Sequence, residues 1–281
     1  MRKGLLLFMS LLFLAGQGAL FAFSFSPITQ EFSVTGKKSS HIFTIGNDSL
    51  SERIAVKISI FEREMDEEGN ETLTPCDGDF LIYPSQSILA PGESRSVRVK
   101  WQGGRIGDRE LNYRILAEQL PVEFREDEKH EDGGGIRFTY RYEGSLYVVP
   151  EGGGEAHVEL SSVRSVMDIK EVTNVVTKTE LSEETGEPVT REVKEVSEVR
   201  TYRLKLVFEN HGARHALLGD LSITLSSVYN NFSPIVLGPE DLAGIAGENI
   251  LAGNKRVFMI PEPPEVQGEP IKWDFSYNPV Y

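Results

Sequence analysis

The chain has 281 residues, 40% of them hydrophobic and 26% charged, which excludes bulk disorder and leaves room for two domains. Its formal net charge of −14 argues against a nucleic-acid partner, because phosphate backbones are bound by basic surfaces. Cys76 is the only cysteine, so no internal disulfide forms and stability has to come from buried cores.

The chain opens with Arg2 and Lys3, an apolar run from Leu5 to Leu14, and small residues at Ala15, Gly16, Gly18, Ala19 and Ala22. A basic start, a short greasy segment and small residues read as a secretory signal peptide over residues 1–22, and hence as export. The rival reading is an uncleaved anchor, since apolar residues continue to Phe25. The central run is short for a spanning helix, which needs about 20 residues.

From residue 23 to 150, strand signals follow one another closely. Ile54–Ile60 alternates, with Val56, Ile58 and Ile60 on one face and Lys57 and Ser59 on the other, the period of a half-buried strand. Phe80–Tyr83 is a short apolar run ended by Pro84, and Ala90-Pro91-Gly92-Glu93 is a turn. Ser96–Trp101 alternates again, burying Val97, Val99 and Trp101, and Tyr113–Ala117 is a further strand. Ile136–Val149 reads as a long final strand. No segment has a convincing helical period, so the expected fold is all-β, with an immunoglobulin-like sandwich first. Met65–Gly78 reads as a hairpin turn followed by a loop, and Glu123–Gly135, ending in three glycines, as a mobile loop.

Glu151-Gly152-Gly153-Gly154 reads as a linker into a second β-sandwich domain, residues 151–281. Strand signals lie at Arg203–Phe208, Leu221–Leu225 and Arg256–Ile260, with a turn at Glu209-Asn210-His211-Gly212. Valines flank Thr185-Gly186-Glu187-Pro188 on both sides, which reads as a protruding hairpin inserted at about 165–200; a solvated disordered insert is the alternative. His211 and His215 flank a turn and read as surface residues rather than metal ligands. No nucleophile elbow, phosphate loop or zinc-protease signature occurs, so the residues point to no enzyme, no cofactor, no metal and no small-molecule substrate.

The first domain resembles the periplasmic pilus-assembly chaperones, which have the PapD-type sandwich. The resemblance is carried by Phe80-Leu81-Ile82-Tyr83-Pro84, by Leu89–Val99 and by Tyr113–Pro121, in that order, with Phe25–Phe32 as a first strand and Asn47-Asp48 at a turn. It extends more loosely to Leu206–Gly212 and Leu251–Arg256. It implies two immunoglobulin-like domains in tandem and a partner that is a pilus or fimbrial subunit lacking one strand. The chaperone inserts its own last strand of domain one into the gap and delivers the subunit to an outer-membrane usher. Such a strand offers alternate apolar side chains, here Ile136, Phe138, Tyr140 and Tyr142. The family clamps the subunit's terminal carboxylate with an arginine and a lysine. The matching positions here are Thr29 and Ser145, with Gln30 and Arg141 as further donors. The alternative function is an exported structural or adhesive protein using the same sandwich for surface binding.

Overall fold

The computed structural model describes residues 23–76, 78–122, 124, 138–181 and 188–280. Residues 1–22, read from the sequence as a signal peptide, the acidic glycine loop apart from Phe124, and Ile136 therefore lie outside the described residues. The described chain is built from strands, with two 3-10 turns at Lys37–Ser39 and Pro264–Val266. It separates into two compact units, and Glu64–Thr72 and Gly107–Glu110 group with the second.

The first unit is a β-sandwich. One sheet has the order β1 (Phe23–Ser26), β3 (Ser40–Asn47), β8 (Ser94–Trp101) and β6 (Phe80–Tyr83). The other runs β2 (Thr29–Ser33), β10 (Arg141–Val149), β9 (Leu111–Leu120), β4 (Ile54–Met65) and β5 (Glu71–Pro75), with β7 (Gln86–Leu89) also on β4. Alternation places Phe43, Ile45, Val97 and Val99 of the first sheet against Val56, Ile58, Ile115, Leu146 and Val148 of the second. Tyr113 is buried among them and its hydroxyl donates to Asp79 at 2.9 Å; burial first, and then Asp79, pushes the phenol far above its ordinary pKa.

Two local expectations need correction. Strand β5 occupies Glu71–Pro75, where the sequence reads as a loop. The turn before it is closed by Asp66, whose carboxylate accepts the Asn70 N–H at 2.7 Å, and by Gly69 at φ 93°, so the chain reverses at once and pairs back. Among the described residues the final strand begins at Arg141, with Phe138–Tyr140 irregular before it, and the expected start at Ile136 lies outside them.

In the second unit, β11 (Val158–Leu181), β12 (Pro188–Asn210) and β16 (Lys255–Pro261) form one sheet. Strand β13 (Ala216–Ser227) forms another with β14 (Ile235–Leu237), β15 (Asn249–Ile250) and β17 (Ile271–Val280). Leu204, Leu206 and Phe208 of β12 share a core with Leu218, Ile223 and Leu225 of β13. His215 is not on the surface: it is buried, and its Nδ1 lies 2.8 Å from the carboxylate of Glu110, whose side chain is also fully buried. The turn expected to expose both histidines exposes only His211.

Candidate functional site

The first strand of the chain changes sheets. Phe23–Ser26 pairs antiparallel with β3, and after Pro27 the chain joins the opposite sheet, where Thr29–Ser33 runs parallel to Ser145–Val149. The parallel partner therefore covers only the second half of β10. Over Arg141–Gly144, β10 pairs with β9 on one side, and no described strand pairs with it on the other.

The direction of the unpaired backbone groups follows from the ladder. The Gln119 N–H donates to the Tyr140 carbonyl at 2.9 Å, so Tyr140, and by alternation Tyr142 and Gly144, turn their backbone groups to β9. The Ser145 N–H donates to the Ile28 carbonyl at 2.8 Å on the opposite side. Arg141 and Glu143 share the parity of Ser145, so their N–H and C=O groups face the open edge. Gly144 sits where cover ends, and a Cβ there would stand 2.6 Å from the Ile28 carbonyl oxygen and 2.8 Å from Ile115 Cγ2. Glycine at this point lets the incoming strand approach closely enough to pair.

The side chains expected to be offered to a partner are not all equally free. Phe138 is 66% exposed. Tyr140 and Tyr142 are half-buried against the unit's own core, and Tyr142 meets Phe23 edge-on with ring centroids 4.8 Å apart. They share the inward parity of Leu146 and Val148, so they extend the core face toward the end of the sandwich.

Of the residues expected to anchor a carboxylate, Thr29 and Ser145 are direct neighbours in the parallel ladder. The Gln30 amide donates to the Glu31 carbonyl at 3.0 Å, and Arg141 pairs with Glu143 two residues along its own strand. Sequence reasoning missed a cation. Arg114 of β9 lies opposite Ser145, and its Nη1 donates to Ser145 Oγ at 2.6 Å. Thr29, Ser145 and Arg114 thus stand in one row across three strands on the outward face. The available signal was the parity of Tyr113–Ala117, which puts Tyr113, Ile115 and Ala117 inward and Arg114 outward.

Among the described residues no group of three potential metal ligands occurs, and no helix is long and apolar enough to cross a membrane.

Fold and edge together define an all-β protein of two sandwich units, the first with a closing strand that is partly unpaired among the described residues. No family model matches the chain, and no curated protein does. Among solved structures the chain is similar to the class 5 fimbriae chaperone CfaA, 15% identical over 90% of this chain and 98% of that one, with a TM-score of 0.46. It is similar to the E. coli chaperone DraB at 13% identity over 93% and 96%, TM-score 0.44. It is also similar to a chain in the complex of Salmonella enterica SafA pilin with the SafB chaperone, 13% identical over 93% and 97%, TM-score 0.46.

Proposed function

We propose that this protein is a periplasmic chaperone that caps pilus-type subunits by donating a strand, and passes them to an outer-membrane usher. Residues 136–144 form the donated segment, and Ile136, Phe138, Tyr140 and Tyr142 are the side chains that enter the subunit. The observation that carries this reading is the open edge of β10: among the described residues, Arg141–Gly144 has no strand partner on the side away from β9, next to the exposed ring of Phe138. An edge of this kind is a template for another strand.

The side chains contribute unequally. A large apolar side chain taken fully from water contributes about 1.5–3 kcal/mol. Phe138 has most of that still to gain, whereas Tyr140 and Tyr142 have already gained part of theirs against the core. Phe138 is therefore the leading anchor. A subunit carboxylate arriving at the paired end of the edge meets the Thr29 and Ser145 hydroxyls with the Arg114 guanidinium behind them. We assign Arg114 the charge-assisted role, because a hydroxyl alone holds a carboxylate more weakly than a cation does.

The test is isolation of the protein from its native envelope fraction, with mass spectrometry of what accompanies it. The expected result is a one-to-one complex with a small secreted subunit, lost in Phe138→Asp and weakened in Arg114→Ala. A protein that carries no subunit, and whose surface binding is unchanged in Phe138→Asp, is instead an exported adhesive or structural double sandwich.

A further inference from the structure

The ribbon formed by β11 and β12 runs far beyond the sheet it starts in. Strand β16 pairs with β12 only over Arg203–Glu209, whereas β11 and β12 remain paired out to Leu181 and Pro188. Beyond Arg203 both long edges lack a partner among the described residues. Apolar side chains stand in solvent on both faces, among them Ile169 at 52%, Val175 at 58%, Val196 at 63% and Val199 at 47%. A two-stranded ribbon is marginal in water, and three or more strands are needed for independent stability. From Val189 to Tyr202 the sequence of β12 has no proline or glycine to blunt its edge.

The edge of β12 is complementary to itself. Its sequence over residues 192–200 is Glu-Val-Lys-Glu-Val-Ser-Glu-Val-Arg. Laid antiparallel on a second copy about a two-fold axis at Val196, Lys194 falls opposite Glu198 of the other copy and Glu192 opposite its Arg200. Val193 falls opposite Val199, and Val196 opposite itself. All of these pairs keep parity, so each places both side chains on the same face. Moving the axis by one residue destroys the match: about Glu195 it opposes Glu192 to Glu198, and about Ser197 it opposes Lys194 to Arg200. On β11, no two-fold centre within Val166–Glu180 opposes more than one set of unlike charges.

The charges are disposed to make the exchange. Glu198 and Arg200 form a loose pair of 3.6 Å along their own strand, each 58% exposed. Glu195, which would meet an uncharged Ser197, is already paired with Lys178 of β11 at 2.6 Å.

We infer that β12 is a homodimerisation edge: two copies of this chain pair antiparallel through residues 192–200, centred on Val196, and turn two ribbons into one four-stranded sheet. A contact about 30 Å long, with two symmetric sets of salt bridges and a central valine pair, results. This inference stands apart from the subunit-binding edge of the first unit.

Sedimentation velocity of the mature chain over a two-decade concentration series measures the association. A monomer–dimer equilibrium is expected. Lys194→Glu and Glu198→Lys each replace attractive pairs by repulsive ones and raise the dissociation constant about tenfold or more. An equimolar mixture of these two variants dimerises again, because every 194–198 contact in the mixed dimer is between unlike charges. The double variant does the same alone. Val196→Cys in a Cys76→Ser background forms a disulfide between the two copies at position 196 with oxidised glutathione. A monomer at all concentrations overturns the inference, as does a dimer indifferent to the charge exchange or one in which the Val196→Cys variant is not cross-linked. A ribbon found paired with a different protein overturns it too.

Discussion

A buried asparagine closes a turn in each unit. Asn47 ends β3, and its amide donates to the carbonyls of Glu52, Leu89 and Ala90 at 2.8, 3.2 and 3.0 Å. Its oxygen accepts the Ser49 N–H at 3.0 Å. Asn210 does the same in the second unit, with the carbonyls of Arg214 and Ile250 at 2.7 and 3.0 Å. Asn47→Ala leaves three carbonyls without that donor and is expected to lower stability by about 2–3 kcal/mol in urea unfolding. Glu110 is the carboxylate counterpart: it accepts from both the backbone and the ring of His215. Glu110→Ala is expected to destabilise by about 3 kcal/mol, because it strands two buried donors. The turn sequences around both asparagines were readable. The Glu110–His215 contact was not, because 105 residues separate its partners and no local pattern encodes that pairing.

At the scale of the element, β10 carries two tasks along one strand. Its second half lies between β2 and β9 and fills the core, while its first half has one side without a partner among the described residues. The alternation of Phe138, Tyr140 and Tyr142 is visible in the sequence, as is the break at Glu143-Gly144. What the break does is not visible: it accommodates the carbonyl of Ile28, which belongs to the far end of the same domain's sequence. Gly144→Val therefore pushes β2 away. It is expected to lower the thermal midpoint clearly and to widen the open edge, read as faster hydrogen exchange at Ser145, whose N–H loses the Ile28 carbonyl. The ribbon is the opposite case. Its residues beyond Arg203 contribute nothing to the core of the second unit. Replacing Asp168–Thr201 with a two-residue Asn-Gly turn is expected to leave that unit's thermal midpoint nearly unchanged while abolishing the concentration-dependent association.

At the scale of the molecule, each sandwich unit has its own core, and the first has an edge that the core does not need closed. Stability and the proposed binding are therefore separable by mutation. Phe138 is exposed, so Phe138→Asp is expected to leave the unfolding free energy from urea titration within about 0.5 kcal/mol of the parent while removing the bound subunit. A loss of both together would make Phe138 a core residue and sink the strand-donating role.

The sequence by itself determined the all-β class, the inward faces of β4, β8 and β9, and the resemblance that directed attention to residues 136–142. These are local matters, since a period of two and a turn residue are written in consecutive positions. The tertiary structure alone decided that Arg114 stands beside Ser145, that His215 is buried on Glu110, that Tyr140 and Tyr142 are half-claimed by the core, and that β10 lacks a described neighbour over Arg141–Gly144. Each of these depends on which strand lies beside which and in what register. That is set by the packing of two whole sheets, and no stretch of neighbouring residues contains it.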